Sequence, residues 1–142
     1  AATTLPEQRV AFRPYQPKAR LAESLSVPDV HWLTLKPKLE GLIVPSKFYG
    51  IAAVGRPILF IGDKDGELAA IIREADCGFT IRPGDTAGLC AVTERLRQHP
   101  GERTRMGANA RAWLDAHATR DGQLRKWTEL IDELHGARSA TD

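Results

Sequence analysis

Sulfur is scarce in this sequence: two cysteines, Cys77 and Cys90, and one methionine in 142 residues. Two cysteines cannot build a disulfide scaffold, and neither stands in a metal-ligand spacing; two reduced thiols in a cytosolic protein account for them. The four histidines, His31, His99, His117 and His135, are scattered, with no pair spaced for a metal. No apolar run approaches the roughly 20 residues of a membrane span, and the start of the chain lacks the basic and apolar stretches of a signal peptide. Charge of one sign is missing as well. The 20 basic and 18 acidic residues leave a net +2 and alternate along the chain, which argues against nucleic acid as a partner. A Gly-x-Gly-x-x-Gly fingerprint, a P-loop and a Gly-x-Ser-x-Gly elbow are all absent. With no self-contained catalytic motif, function has to be argued from architecture.

What is present is ordinary globular material: 42% hydrophobic residues and 12 glycines, in a length that suits one domain with a normal core. Short apolar segments at Arg9–Phe12, Val30–Leu35, Ile58–Ile61 and Cys77–Ile81 read as strands, the second as a buried parallel strand. Helical patterns lie between and after them. They span Lys18–Leu25, with Leu21 and Leu25 on one face; a stretch that Ser46 caps and that runs to about Val54; Glu67–Ala75; and Thr86–Gln98, capped by Asp85. After a break at Pro100-Gly101 come Glu102–His117 and Asp121–Leu134, the last with Leu124, Trp127, Leu130, Ile131 and Leu134 in helical spacing. Gly136–Asp142 reads as a small, polar, flexible tail. Strands alternating with helices predict an α/β fold with a Rossmann-like parallel sheet and flanking helices. In such sheets ligands bind beyond the carboxyl ends of the strands, so the loops after the strands are the candidate site.

The loop after the second strand enters a helix through Glu40-Gly41-Leu42-Ile43-Val44-Pro45-Ser46-Lys47. Free amides at the helix start, a hydroxyl on Ser46 and a mobile charge on Lys47 fit a diphosphate; they equally fit a capped helix with a solvated lysine. Asp63-Lys64-Asp65-Gly66-Glu67 crowds three carboxylates that fit sugar hydroxyls, or simply make a polar surface turn set by Asp65-Gly66. Tyr15, in the first loop, lies where an aromatic ring stacks beside a nucleobase or packs under the loop. Pro83-Gly84-Asp85 reads as a turn and a helix cap.

Taken in order, Phe12-Arg13-Pro14-Tyr15-Gln16-Pro17, Pro45-Ser46-Lys47-Phe48-Tyr49-Gly50, Ala53-Val54-Gly55-Arg56-Pro57, Pro83-Gly84-Asp85, Met106-Gly107 and Ala110-Arg111 resemble a known family. It is the carboxyl-terminal domain of retaining, GT-B-fold glycosyltransferases of family 4, nearest to the bacterial surface-polysaccharide branch of the O-antigen and colanic-acid type. The resemblance runs from about Val10 to Ile131. It implies a two-domain, hexosyltransferase-type enzyme. This domain would hold a nucleotide-diphosphate sugar as donor substrate, with no further cofactor and no metal. A separate amino-terminal domain would hold a glycan or a membrane-associated lipid-linked acceptor. Carried over by position, Ser46 and Lys47 fall at the diphosphate. Glu40 and Gly41 lie near the donor sugar; Asp65, Gly66 and Glu67 line the donor pocket; Arg13, Pro14 and Tyr15 sit near the base. No catalytic residue is assigned. The implied setting is cytoplasmic, peripheral at the inner membrane face through the amino-terminal domain. The other reading is a non-catalytic module for nucleotide-sugar binding or interaction.

Two departures from the family pattern stand out. Its second glutamate, which usually grips the ribose, would fall seven residues before Pro57, where this chain has Gly50. Its carboxyl-terminal domain also begins with two strand–helix units, one carrying a glycine-rich phosphate turn, which have no counterpart before Arg9. The expectation is therefore a partial domain over residues 1–135 that lacks its first two βα units, exposes a sheet edge and is inactive alone.

Overall fold

The computed structural model describes residues 11–139, and of residues 136–139 the backbone alone. After a 3-10 turn at Lys18–Arg20 the elements are α1 (Leu21–Ser26), β1 (His31–Thr34), α2 (Lys47–Ala53), β2 (Ile58–Ile61), α3 (Glu67–Glu74), β3 (Gly78–Ile81), α4 (Thr86–Gln98), α5 (Pro100–His117) and α6 (Arg120–Ser139). Among the described residues the three strands form one parallel sheet in the order β1-β2-β3. His31 pairs with Ile58, and Ile58 with Gly78. The α/β class, the parallel sheet and the flanking helices are as expected.

Alternation along the strands sends side chains to opposite faces. Leu33, Leu35, Ile58 and Phe60 join Phe48, Ile51 and Ala52 of α2 and Leu68, Ala69 and Ile72 of α3 in one apolar cluster. On the other face Leu59 and Phe79 meet Leu96 of α4 and Met106 of α5. Helix α5 serves both faces, since its Ala110 lies in the first cluster. β2 is central and buried except at its last residue, which is why a run as short as Ile-Leu-Phe-Ile is legible as an interior strand.

Several expectations change. Arg9 and Val10 lie outside the described residues; Ala11 and Phe12 have no regular structure and are exposed, so no strand spans Arg9–Phe12 among the described residues. The second strand is shorter than Val30–Leu35, and it is half-exposed rather than buried because it forms the edge of the sheet. The helix from Lys18 begins as a 3-10 turn, and Leu21 is exposed while Leu25 packs on the core. Ser46 caps nothing: it has helical φ and ψ of −56° and −22°, and its side chain makes no cap bond. The turn is closed instead by the Phe48 amide bonding to the Pro45 carbonyl at 2.9 Å. Pro100 does not break the chain but starts α5, where its missing N–H costs nothing. α6 continues past Gly136 to Ser139. By contrast Asp85 caps α4 as expected, accepting the Gly88 amide at 2.8 Å.

α4 and α5 meet almost without a loop, and a charge pair spans the joint. Arg95 donates to both oxygens of Glu102, at 3.0 and 2.7 Å, while its guanidinium lies 5.2 Å over the Phe79 ring. These hydrogen bonds hold the Glu102 carboxyl below the usual carboxylate range. A carboxylate whose pKa is lowered by folding stabilises the fold above its unfolded pKa, near 4.3, and stops doing so as pH falls through the lowered value. We expect the stability difference between the native chain and Glu102→Gln to be constant above about pH 4.5 and to shrink below it. Urea unfolding at a series of pH values measures this, and a difference that does not vary with pH would refute it.

Candidate functional site

The loops that leave the carboxyl ends of β1 and β2 meet at the amino end of α3. Gly66 precedes this helix, and none of its first-turn amides is capped from within. Glu40, from the loop after β1, supplies the missing acceptor: its Oε1 takes the Glu67 amide at 3.0 Å. Its other oxygen, Oε2, is buried without a hydrogen-bond partner. A Cβ at position 66 would lie 2.6 and 2.7 Å from the two carboxylate oxygens, so glycine is what lets the carboxylate reach the helix end. A carboxylate there also offsets the partial positive charge of the helix amino end. Glu40, Gly66 and Glu67 are thus brought together across 27 residues of sequence.

The cleft beside them is narrow. It is lined by Glu40, Val44, Tyr49, Glu67 and Leu68 among others, and its open volume is about 10 Å³, room for one water at most. The cleft itself is too small to admit a sugar ring. Gly41, at φ 74°, turns the chain directly after Glu40 and is surrounded by open space.

Ser46 and Lys47 lie on a second groove of about 350 Å³, walled by Trp32, Thr34, Val44 and Pro45 along the outer side of β1. Both are exposed. Among the described residues Lys47 has no ion pair, and the Ser46 hydroxyl has no hydrogen bond. Asp65 faces elsewhere. It is exposed, its amide bonds Asp63 Oδ1 at 3.0 Å in an Asx turn, and it lines a groove of about 380 Å³ with Lys64, Arg73 and Phe79 on the β3 side. Arg13, Pro14 and Tyr15 are exposed in a segment without regular structure, Tyr15 at 95%. The structure brings none of these three to the carboxylates or to Lys47.

The residue given no role by its motif is Tyr49. It sits at the narrow cleft, its ring 5.5 Å from Phe48 and 6.5 Å from Trp113 of α5. Its signal in the sequence is slight: a half-exposed aromatic directly after the buried Phe48. The two cysteines are free thiols. Cys77 is buried, and burial pushes its pKa up to about 11, so it is held as an inert thiol. Among the described residues no group of histidine, cysteine, aspartate and glutamate is arranged to hold a metal ion, and no helix is long and apolar enough to cross a membrane.

This chain is similar to a curated Pseudomonas aeruginosa protein named "Probable glycosyltransferase WbjE". The two are 33% identical over 93 residues, which make up 63% of this chain and 23% of that protein. The likeness supports a glycosyltransferase relationship. The matched stretch spans about a quarter of the relative's length. No family model and no solved structure matches the chain.

Proposed function

We propose that the chain is the donor-binding part of a retaining, GT-B-type glycosyltransferase of family 4. It would move a hexosyl group from a uridine-diphosphate sugar to a glycan or lipid-linked acceptor in bacterial surface-polysaccharide synthesis. The observation that carries the glycosyltransferase part of this reading is the likeness to WbjE; the finer assignment rests on the motifs that resemble family 4. The site supports it: the Ser46 hydroxyl and the Lys47 ammonium, without partners among the described residues, share one groove along the outer side of β1. Ser46 donates to the diphosphate and Lys47 offsets its charge as it leaves, the task a metal performs elsewhere. Glu67 accepts hydrogen bonds from the sugar at the mouth of the cleft, Glu40 lies behind it holding the Glu67 amide, and the loop of Arg13–Tyr15 reaches the base only if it moves. Asp65, on the separate groove, reaches the donor only if its loop moves.

In this reading the acceptor side belongs to an amino-terminal domain, and the assembled enzyme works at the cytoplasmic membrane face. The purified 142-residue chain is then expected to turn over no uridine-diphosphate sugar, and robust transfer by it would overturn the two-domain reading. A protein that also carries the amino-terminal domain is expected to bind uridine diphosphate in a calorimetric titration. Absence of binding by any nucleoside diphosphate would overturn the donor reading.

A further inference from the structure

The groove that holds Ser46 and Lys47 has β1 as one wall, with Trp32 and Thr34, and the loop after β1 as the other, with Ile43, Val44 and Pro45. That loop wall is held by little. Leu39 packs on the apolar cluster behind it, and Phe48 is buried ahead of it. Between them residues 41–44 are exposed. Their backbone bonds are local: the Leu42 and Ile43 amides both turn back to the Leu39 carbonyl, at 3.1 and 3.3 Å. Gly41 bends the chain at φ 74° with open space around it, so nothing braces the bend from outside. Among the described residues, one hydrogen bond ties residues 40–44 to a distant part of the chain, the bond from the Glu67 amide to Glu40.

Given the donor-binding reading, on which this rests, we propose that Glu40 is a positioning residue for the diphosphate. Its grip on the amino end of α3 sets the loop wall of the groove beside β1. The sign of the effect separates this role from others. Glu40 is an anion, so its removal takes a negative charge away from a bound diphosphate and frees a helix end that favours anions. Both changes tighten binding of uridine diphosphate. Loss of placement weakens it, because the apparent dissociation constant rises as the inverse of the fraction of molecules with the loop in place. A role confined to the sugar leaves uridine diphosphate unaffected, since that ligand carries no hexosyl group. The role needs an acceptor at Oε1 more than a charge, for Oε2 has no partner. Gly66 offers a second way to break the grip. Alanine there places a Cβ 2.6 and 2.7 Å from the carboxylate oxygens and pushes the flexible Glu40 side chain off the amide, at a φ of −76° that alanine accepts.

Calorimetric titration of uridine diphosphate into a protein that also carries the amino-terminal domain tests the proposal, with circular dichroism confirming the fold of each variant. Glu40→Ala and Gly66→Ala are each expected to raise the dissociation constant about ten-fold. The two together should cost no more than either alone, because they break the same contact. Glu40→Gln keeps an acceptor for the Glu67 amide and is expected to stay within about three-fold of the native protein. In the ligand-free 142-residue chain, hydrogen exchange at the Leu42 and Ile43 amides should quicken in Glu40→Ala and stay near the native rate in Glu40→Gln. Unchanged or tighter binding by Glu40→Ala, full additivity with Gly66→Ala, no rescue by glutamine, or native exchange at those two amides in Glu40→Ala would each overturn the proposal. Failure of the native protein to bind any nucleoside diphosphate would instead remove the donor reading, and the exchange rates would then decide whether Glu40 holds the loop.

Discussion

Alanine at Gly107 is expected to destabilise the chain by about 3 kcal/mol or more, whereas alanine at Gly101 of the same helix should stabilise it by about 0.5–1 kcal/mol. The two positions lie less than two turns apart on α5, so helix propensity alone would give them the same sign. Their surroundings differ. Nothing lies within 4 Å of a Cβ at Gly101, and alanine there only reduces the freedom of the unfolded chain. A Cβ at Gly107 would press on the Gly55 carbonyl oxygen and lie 2.8 Å from its carbon and 3.4 Å from the Arg56 nitrogen. Those atoms are backbone and have little room to yield. Gly55 is itself at φ 64°, in the left-handed region that closes the turn after α2. Relief requires α5 to lift from that turn, which would open the packing of the buried Met106 and Ala110. It would also break the bond from Arg111 to the Ala53 carbonyl at 2.9 Å. Urea unfolding of both variants measures the pair of effects; equal signs would refute the close approach as their cause.

That contact also explains part of the sequence pattern. Ala53-Val54-Gly55-Arg56-Pro57 and Met106-Gly107 with Ala110-Arg111 are legible in the sequence as motifs without a stated role. In the fold they are two sides of one joint between the α2 turn and α5. Arg56 extends the joint to the Ser26 carbonyl at 2.6 Å. Signals that act within a few residues carried the fold reading: the Asp85 cap, the apolar β2, and the turn at Pro83-Gly84. What failed depends on distant partners. Whether β1 is central or an edge is decided by which strands lie beside it, and a short bulky run such as His31-Trp32-Leu33-Thr34 looks alike in either place. Ser46 has the chemistry of a cap, but Pro45 closes the turn first and leaves Ser46 in helical geometry. Glu40 serves a helix 27 residues away, a pairing that no local pattern encodes. The stripe on α6 was legible as apolar, yet its five residues are each at least 46% exposed, because amphipathic spacing reports a face and not its partner.

Replacing Lys47 by alanine is expected to weaken binding of uridine diphosphate about 10- to 100-fold in a protein that also carries the amino-terminal domain. The size follows from how few other groups the groove offers an anion. α2 has only seven residues, so its aligned dipoles add less than those of a long helix. The amino end of α3, the other candidate seat, is already taken by the Glu40 carboxylate. Arg95, Arg97, Arg105 and Arg111 are committed to Glu102, Glu94, Asp76 and Asp115. The cation on the groove beside β1 is therefore Lys47, with the Ser46 hydroxyl next to it. Ser46→Ala removes a neutral donor and should cost less, about five-fold. Lys38→Ala, on the same loop but not on that groove, should leave affinity unchanged. The Lys47 effect should also fall as salt rises, since an exposed charge is screened over about 8 Å at physiological ionic strength. Calorimetric titration of the three variants at two salt concentrations separates these cases. Equal affinity for Lys47→Ala and the native protein would remove the diphosphate from this groove, and a loss shared equally by Lys38→Ala would reduce the effect to general electrostatics.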